Sequence, residues 1–376
     1  MTQKDLIVFA PLSIRNGMAG AKRMGNLVEF LKNEAAIINL YRSGKDQPAT
    51  EAGVKYRPAR SFFSDLGYLR KLKKQQAHSK YTYYYYGYPS LQLILKLLMI
   101  RLAGYHIFFD IVEDYRTIIP YKKGMLKKLN LSIAVWLLKR SWLFASGYIA
   151  ISAYLDQMLK GYFKTKKPVL LLPISINPHN FPGNNGHNTT GKISFFYGGS
   201  YAPKDDFDVM LRSFVTIQQQ YPDKIDCFYL SGKCPANKQA EIVNIAGPET
   251  AKSIVFLGFL SDEEYYHYIH KANVLVMPRN NSDFANTGFP FKLGEYMATG
   301  NCVISARIKS VTDVIGEDTI VYYTPESEES LTQTFAAVLN DTNLLTRSGE
   351  KTRKIAFEKF NAQDHALLLK QFITAN

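Results

Sequence analysis

Residues 274–306, VLVMPRNNSDFANTGFPFKLGEYMATGNCVISA, constrain this chain more than any other stretch. They read as a buried strand, a polar loop containing glycine, a short helix, a Gly stop and a second buried strand, one βαβ step of a parallel sheet. The loop ends at Pro290, which leads into the helix. The first turn of such a helix has N–H groups without intrahelical partners and the positive end of the dipole, and it suits a diphosphate. Lys292 and Glu295 stand three apart and share one face. A cation for phosphate and a carboxylate for sugar hydroxyls can therefore converge on one nucleotide. The alternative is an exposed helical ion pair in an ordinary βαβ unit, which is common and weakly stabilising.

The same rhythm runs through the chain. In the first half, strands are predicted at 6–10, 36–41, 107–111, 147–152 and 169–174, with helices at 21–31 and 154–162. The tyrosine run at 81–88 alternates like a strand. Residues 177–191, NPHNFPGNNGHNTTG, then change the composition abruptly and read as a linker. The alternation restarts with strands at 193–197, 225–231, 253–257, 274–277 and 302–305 and a helix at 207–219. Two Rossmann-like domains in tandem follow, at 1–178 and 192–355 with a linker at 179–191, and residues 356–376 close the chain within a charged, helical stretch.

A length of 376 residues, 46% of them hydrophobic, supports two cores of ordinary size. Cys227, Cys234 and Cys302 form neither a paired framework nor a metal-ligand pattern, which fits a reducing cytosol. The apolar run near the N-terminus is short and reads as a first strand rather than a leader, and no run approaches the roughly 20 residues that span a bilayer. The net charge of +14 is uneven: residues 1–190 hold 28 Lys and Arg against 10 Asp and Glu, residues 191–376 hold 18 against 22. The first half therefore faces a polyanion, either nucleic acid or an acidic membrane surface. No nucleic-acid motif accompanies the charge. Lys122, Lys123, Lys127, Lys128, Lys139 and Arg140 stand beside Trp136, Trp142 and several Leu and Ile, and 68–80 adds further cations, which suits an anionic membrane. A core helix with a solvated basic rim is the other reading.

The 274–306 segment resembles the C-terminal signature of family 4 retaining glycosyltransferases of the GT-B fold, in the bacterial form GFP-x-K-L-x-E-Y-x-A-x-G. Further matches are YGGSYAPKDDFDVMLRSF at 197–214, FYLSGKCP at 228–235 and the segment from FLGFL at 256 to the proline at 278. The resemblance implies two Rossmann-like domains facing across a cleft, the second holding a nucleotide-sugar donor of UDP or GDP type, and a last helix returning to the first domain. It implies transfer of the sugar to a lipid-linked or polysaccharide acceptor with retention, in cell-surface polysaccharide synthesis, without a bound metal or other cofactor. It also places the protein in the cytoplasm, peripheral on the inner face of the membrane.

Carried onto this chain, the resemblance gives Lys204 and Lys292 the diphosphate, with Arg279 as a substitute for the arginine that relatives have where Ser200 stands. Gly199, Gly232, Asn286, Gly288 and Phe289 line the donor, and Glu295 holds the ribose. Thr287 occupies the place of the family's first signature glutamate, where it can hydrogen-bond a sugar without charge. In SIRNGMAGAKR at 13–23, Gly17 and Gly20 with Lys22 and Arg23 suit a glycine loop over the diphosphate. FDIVEDYR at 109–116 puts carboxylates at a strand end, where Asp114 or Glu113 contacts the acceptor or else caps the helix that follows. The substitutions at Ser200 and Thr287 also leave room for a catalytically silent nucleotide-sugar-binding or assembly partner.

Overall fold

Unbroken apolar runs such as ISFFYG and VLVM belong in a sheet covered on both faces, and every residue of both is buried. The computed structural model describes residues 6–10, 19–32, 37–41, 49–51, 53–58, 62–75, 82–91, 93–164, 166–183 and 191–376. The chain divides into two compact units, Met1–Ser175 with Ala362–Asn376, and Ile176–Asn361.

The first unit carries strands β1 (Leu6–Ala10), β2 (Ile37–Tyr41), β3 (Ala49–Glu51), β4 (Val54–Pro58), β5 (Thr82–Tyr86), β6 (His106–Ile111), β7 (Gly147–Ala150) and β8 (Val169–Leu171). Their order is β3-β4-β2-β1-β5-β6-β7-β8, and all pairs are parallel except β3 with β4. Its helices are α1 (Ala19–Leu31), α2 (Phe62–Gln75), α3 (Ile94–Leu102), α4 (Tyr115–Ile118), α5 (Met125–Arg140) and α6 (Ala153–Phe163). The step from β1 through α1 to β2 runs one way along the sheet, and those through α2, α3 and α5 run the other way. Right-handed crossovers thus put α1 on one face and α2, α3 and α5 on the opposite one.

The second unit repeats the plan with β9 (Ile193–Gly198), β10 (Ile225–Ser231), β11 (Ile254–Gly258), β12 (Val274–Met277), β13 (Cys302–Ala306) and β14 (Val321–Tyr323). The order is β11-β10-β9-β12-β13-β14, parallel throughout. Helices α7 (Phe207–Gln220), α8 (Ala236–Ala251), α9 (Asp262–Lys271), α10 (Asp283–Asn286), α11 (Phe291–Thr299), α12 (Lys309–Ile315), α13 (Glu328–Asn340) and α14 (Thr342–Phe360) surround it.

The helical stretch expected near the C-terminus is two helices. Asn361 takes an extended conformation and bridges Ile176, whose N–H donates to Phe360 O at 2.7 Å. Beyond it α15 (Ala362–Ala375) belongs to the first unit. Met24, Leu27, Val28 and Leu31 of α1, spaced as one helical face, pack there with Phe108, Ile149, Ala366 and Leu369. Of the predicted linker, Pro178–Asn180 form a single helical turn and Phe181 is buried against the Tyr266 ring within the second unit.

The surface of the first unit departs from the expectation in detail. Trp136 is 58% exposed, with Met125, Leu126 and Leu129 of the same helix. Trp142, expected beside it, is half-buried under Lys166, whose Nζ stands 4.3 Å from the indole centroid. Unforeseen is a stripe along α3 and the turn before it: Leu91, Leu95, Leu98 and Leu102 are all exposed at i, i+4, i+7, i+11 spacing. Among the described residues no helix is long and apolar enough to cross a membrane.

Candidate functional site

In an open parallel sheet, ligands gather where the winding direction reverses, beyond the carboxyl ends of the strands. In the second unit that point lies between β9 and β12, since the chain leaves β9 toward β10 and later returns through β12 to β13. The strand ends there are Gly198 and Met277, so the turn after β9, the loop after β12 and the start of α11 meet at one edge.

Lys292, in the first turn of α11, reaches across to β9. Its Nζ lies 3.2 Å from the point a Cβ on Gly198 would occupy, and the Gly198 N–H donates to the Tyr296 hydroxyl at 2.9 Å. The next glycines form a backbone contact that no other residue can make. Gly199 N–H donates to Ser231 O at 3.0 Å, Gly232 has φ +127°, and a Cβ on Gly232 would stand 1.8 Å from Gly199 O. The turns after β9 and β10 thus touch main chain to main chain.

The loops bearing Lys204 and Arg279 are fastened by Asn280, whose N–H donates to Lys204 O at 3.2 Å and whose Nδ2 donates to Pro203 O at 2.6 Å. Lys204 Nζ lies 4.8 Å from the Phe284 ring centroid. Arg279 is close by but partly committed: its Nε stands 3.5 Å from the Asp205 carboxylate, which also accepts from the Tyr197 hydroxyl at 3.1 Å. Ser200 is exposed on the β9 turn.

The loop into α11 is braced from within. Asn286 Nδ2 donates to Asn281 and Ser282, and its Oδ1 accepts from Ser310 N–H at 3.3 Å. Thr287 is buried, with its hydroxyl donating to Phe284 O at 3.2 Å, and Gly288 beside it is half-buried. Phe289, expected to line the donor, instead turns its ring into the core 5.0 Å from Phe360. A large aromatic ring gains more from burial than a polar edge can offer.

Glu295 is 2% exposed, which rules out the solvated ion pair as its role. Its carboxylate accepts from the Tyr265 hydroxyl at 2.9 Å and the Tyr266 hydroxyl at 3.3 Å. Burial first, and then the Glu295 charge, push both tyrosines well above their ordinary value, so both remain donors. Neither tyrosine was singled out in the sequence. The available signal was that a carboxylate embedded among Leu293, Tyr296 and Met297 needs buried donors.

In the first unit, Asp114 takes the capping alternative. Its carboxylate accepts from the Arg116 N–H at 3.0 Å as N-cap of α4, from the Arg116 guanidinium at 2.6 Å and from the Tyr154 hydroxyl at 2.9 Å. Burial alone would raise this carboxyl, but the bonds from Arg116 and Tyr154 outweigh it and hold it below the ordinary value. Around this cluster Tyr88 stacks on Tyr115 at 4.1 Å, and Tyr162 lies within 6 Å of both Arg116 (5.7 Å) and Lys139 (4.9 Å).

The glycine loop at 13–23 is only partly in view: Gly17 lies outside the described residues. Arg23 is no phosphate ligand. It is 1% exposed, its Nε donates to Asp110 at 2.8 Å, and its other nitrogens donate to Asp110, Leu172 O and Pro173 O. A buried guanidinium finds its partner inside the unit, and α1 turns it toward β6.

Residues 191–341 match the family described as "Glycosyl transferases group 1". No curated protein sequence matches the chain. Among solved structures, the sucrose-phosphate synthase from Thermosynechococcus elongatus is similar with TM-score 0.74 and 14% identity over 100% of both chains. HepE from Anabaena, solved with UDP and glucose, gives 0.69 and 13% over 100% of both. A glycosyltransferase from Rickettsia africae gives 0.70 and 12% over 99% of this chain and 98% of that one. At such identities the likeness establishes the GT-B fold.

Proposed function

We propose that the protein is a glycosyltransferase whose second unit holds a nucleoside-diphosphate sugar. The observation that carries this reading is Lys292 seated against Gly198 at the switch point, with the Lys204 and Arg279 loops fastened at the same edge. The group 1 match over the same unit supports it, and the UDP bound in the Anabaena structure makes UDP the first nucleotide to try. When the bond between sugar and diphosphate breaks, negative charge grows on the phosphate, and fixed cations there lower the barrier. Lys292 and Lys204 supply that charge, Arg279 a share of it, and Glu295 receives the ribose.

The acceptor is a lipid-linked or polysaccharide saccharide, glycosylated with retention and without a bound metal, during cell-surface polysaccharide synthesis at the inner face of the membrane. The basic half of the chain supports the membrane part of this reading. Exposed Met125, Leu126 and Leu129 alternate with Lys122, Lys123, Lys127 and Lys128, the composition that partitions to anionic headgroups. The α3 stripe, on the same face of the sheet as α5, extends the apolar area.

Isothermal titration with UDP, GDP and CDP, with and without EDTA, tests the donor assignment. One nucleotide binds irrespective of EDTA, and Lys292→Ala weakens it about a hundredfold at unchanged melting temperature. Equal affinity in that variant would remove Lys292 from the site. The departures at Ser200 and Thr287 favour the rival reading, a silent nucleotide-sugar binder. Release of UDP from UDP-sugar, with or without acceptor, sinks that rival.

A further inference from the structure

We propose that Tyr265 is a positioning residue that sets the Glu295 carboxylate for a ribose diol, assisted by Tyr266; the proposal rests on the reading of Glu295 as the ribose ligand. A carboxylate this buried is stable only if hydrogen bonds replace its water, and a free one could rotate away from any ligand. Tyr265 donates to Oε2 and Tyr266 to Oε1, one hydroxyl on each oxygen. A carboxylate has about four acceptor sites. A tyrosine bond on each oxygen therefore sets the orientation of the carboxylate without by itself excluding ribose hydroxyls as further donors.

Both tyrosines are themselves fixed. Tyr265 is buried edge-on to Phe196 at 6.2 Å, and α9 is anchored by a capping box between Ser261 and Glu264. The Tyr266 hydroxyl accepts from Asn180 Nδ2 at 3.1 Å, and its ring meets Phe181 edge to face at 5.5 Å. Lys292 Nζ also stands 5.4 Å from the Tyr265 ring centroid. One side chain thus touches the carboxylate assigned to the ribose and the cation assigned to the diphosphate, coupling the two ends of the nucleotide.

The test is calorimetric binding of UDP, 2′-deoxy-UDP and 3′-deoxy-UDP to the wild-type chain and to Tyr265→Phe, Tyr266→Phe and Glu295→Gln. The wild type prefers UDP to at least one deoxy form by about tenfold, the value of one hydrogen bond to a charged group. Glu295→Gln abolishes the preference. Tyr265→Phe reduces it to about threefold by weakening UDP while leaving the deoxy form little changed, and Tyr266→Phe reduces it less. A general loss of structure would weaken all three nucleotides alike and leave the ratio intact, so the ratio reports positioning. If Glu295→Gln abolishes the preference and both tyrosine variants keep it, the positioning role is overturned and the ribose assignment stands. A wild type that binds UDP without preference, or a preference that survives Glu295→Gln, overturns the ribose assignment and this proposal with it. If GDP or CDP binds in place of UDP, its 2′- and 3′-deoxy forms take the same roles, and no binding of UDP, GDP or CDP overturns the donor site.

Discussion

Among the described residues of the first unit, the buried cations are consumed by the fold: Arg23 by Asp110 and two carbonyls, Lys96 by Asp65. Among the described residues, Lys127, Lys128, Lys139 and Arg140 lie instead on α5 with the exposed Leu126, Leu129 and Trp136. In the second unit Lys204, Arg279 and Lys292 stand on three segments at the edge where the winding reverses, and Glu295 is buried on the same helix as Lys292. Among the described residues, only Val243, Val255 and Phe259 of the exposed large hydrophobics belong to this unit. Two sheets of the same kind thus place charge differently. A cation held at a strand end can act on a ligand, whereas one paired in the interior acts on stability, and one scattered over a surface acts on whatever large polyanion the surface meets.

The sharpest way to break this contrast is at the Arg23–Asp110 pair. Asp110→Asn leaves a guanidinium buried without its counter-charge, and denaturant unfolding should show a loss of about 3–5 kcal/mol. UDP affinity should be unchanged under native conditions, because the pair serves the first unit only. A loss below about 1 kcal/mol would mean that water or another group compensates the charge, and the pair would not be structural in the sense argued.

The surface half of the contrast is tested with vesicles. Changing Lys122, Lys123, Lys127 and Lys128 to Gln should weaken co-sedimentation with phosphatidylserine vesicles by about 1 kcal/mol per residue, with no effect on neutral vesicles. Salt should diminish the wild-type signal in the same way. Binding that ignores both would assign the membrane contact to apolar area alone or remove it altogether.

The smallest effect is a pH dependence confined to the second unit. Burial, opposed by a hydrogen bond with the Asn180 backbone and reinforced by the Arg353 charge, holds His270 below its ordinary 6.5. The native imidazole therefore stays neutral where the unfolded one takes up a proton. The stability it contributes is complete above 6.5 and falls as the pH drops through 6.5 toward the native value. Because His270 is only half-buried, less than about 1 kcal/mol is expected. Melting temperatures between pH 7.5 and 5.5 should fall less in His270→Asn than in the wild type, and parallel curves would refute the assignment.

Much of the architecture could be read from short-range pattern. The strands at 6–10 and 225–231 and the step from Val274 to Cys302 coincide with β1, β10 and the β12–α11–β13 unit, down to Gly300 in the left-handed conformation that ends α11. The resemblance marked Gly199 and Gly232 as lining the donor, but not that the two approach each other. Such features depend on neighbours within one turn or one strand, and periodicity records them.

The α/β alternation, the uneven charge and the helix start that carries Lys292 are already written in the order of the residues. Tertiary structure alone decided which polar groups meet. Arg23 faces Asp110 across 87 positions, Glu295 faces Tyr265 across 30, Phe289 turns inward, and the α3 leucines face outward. Each outcome follows from strand order and helix rotation, which set the partners of a side chain over distances that local periodicity does not encode.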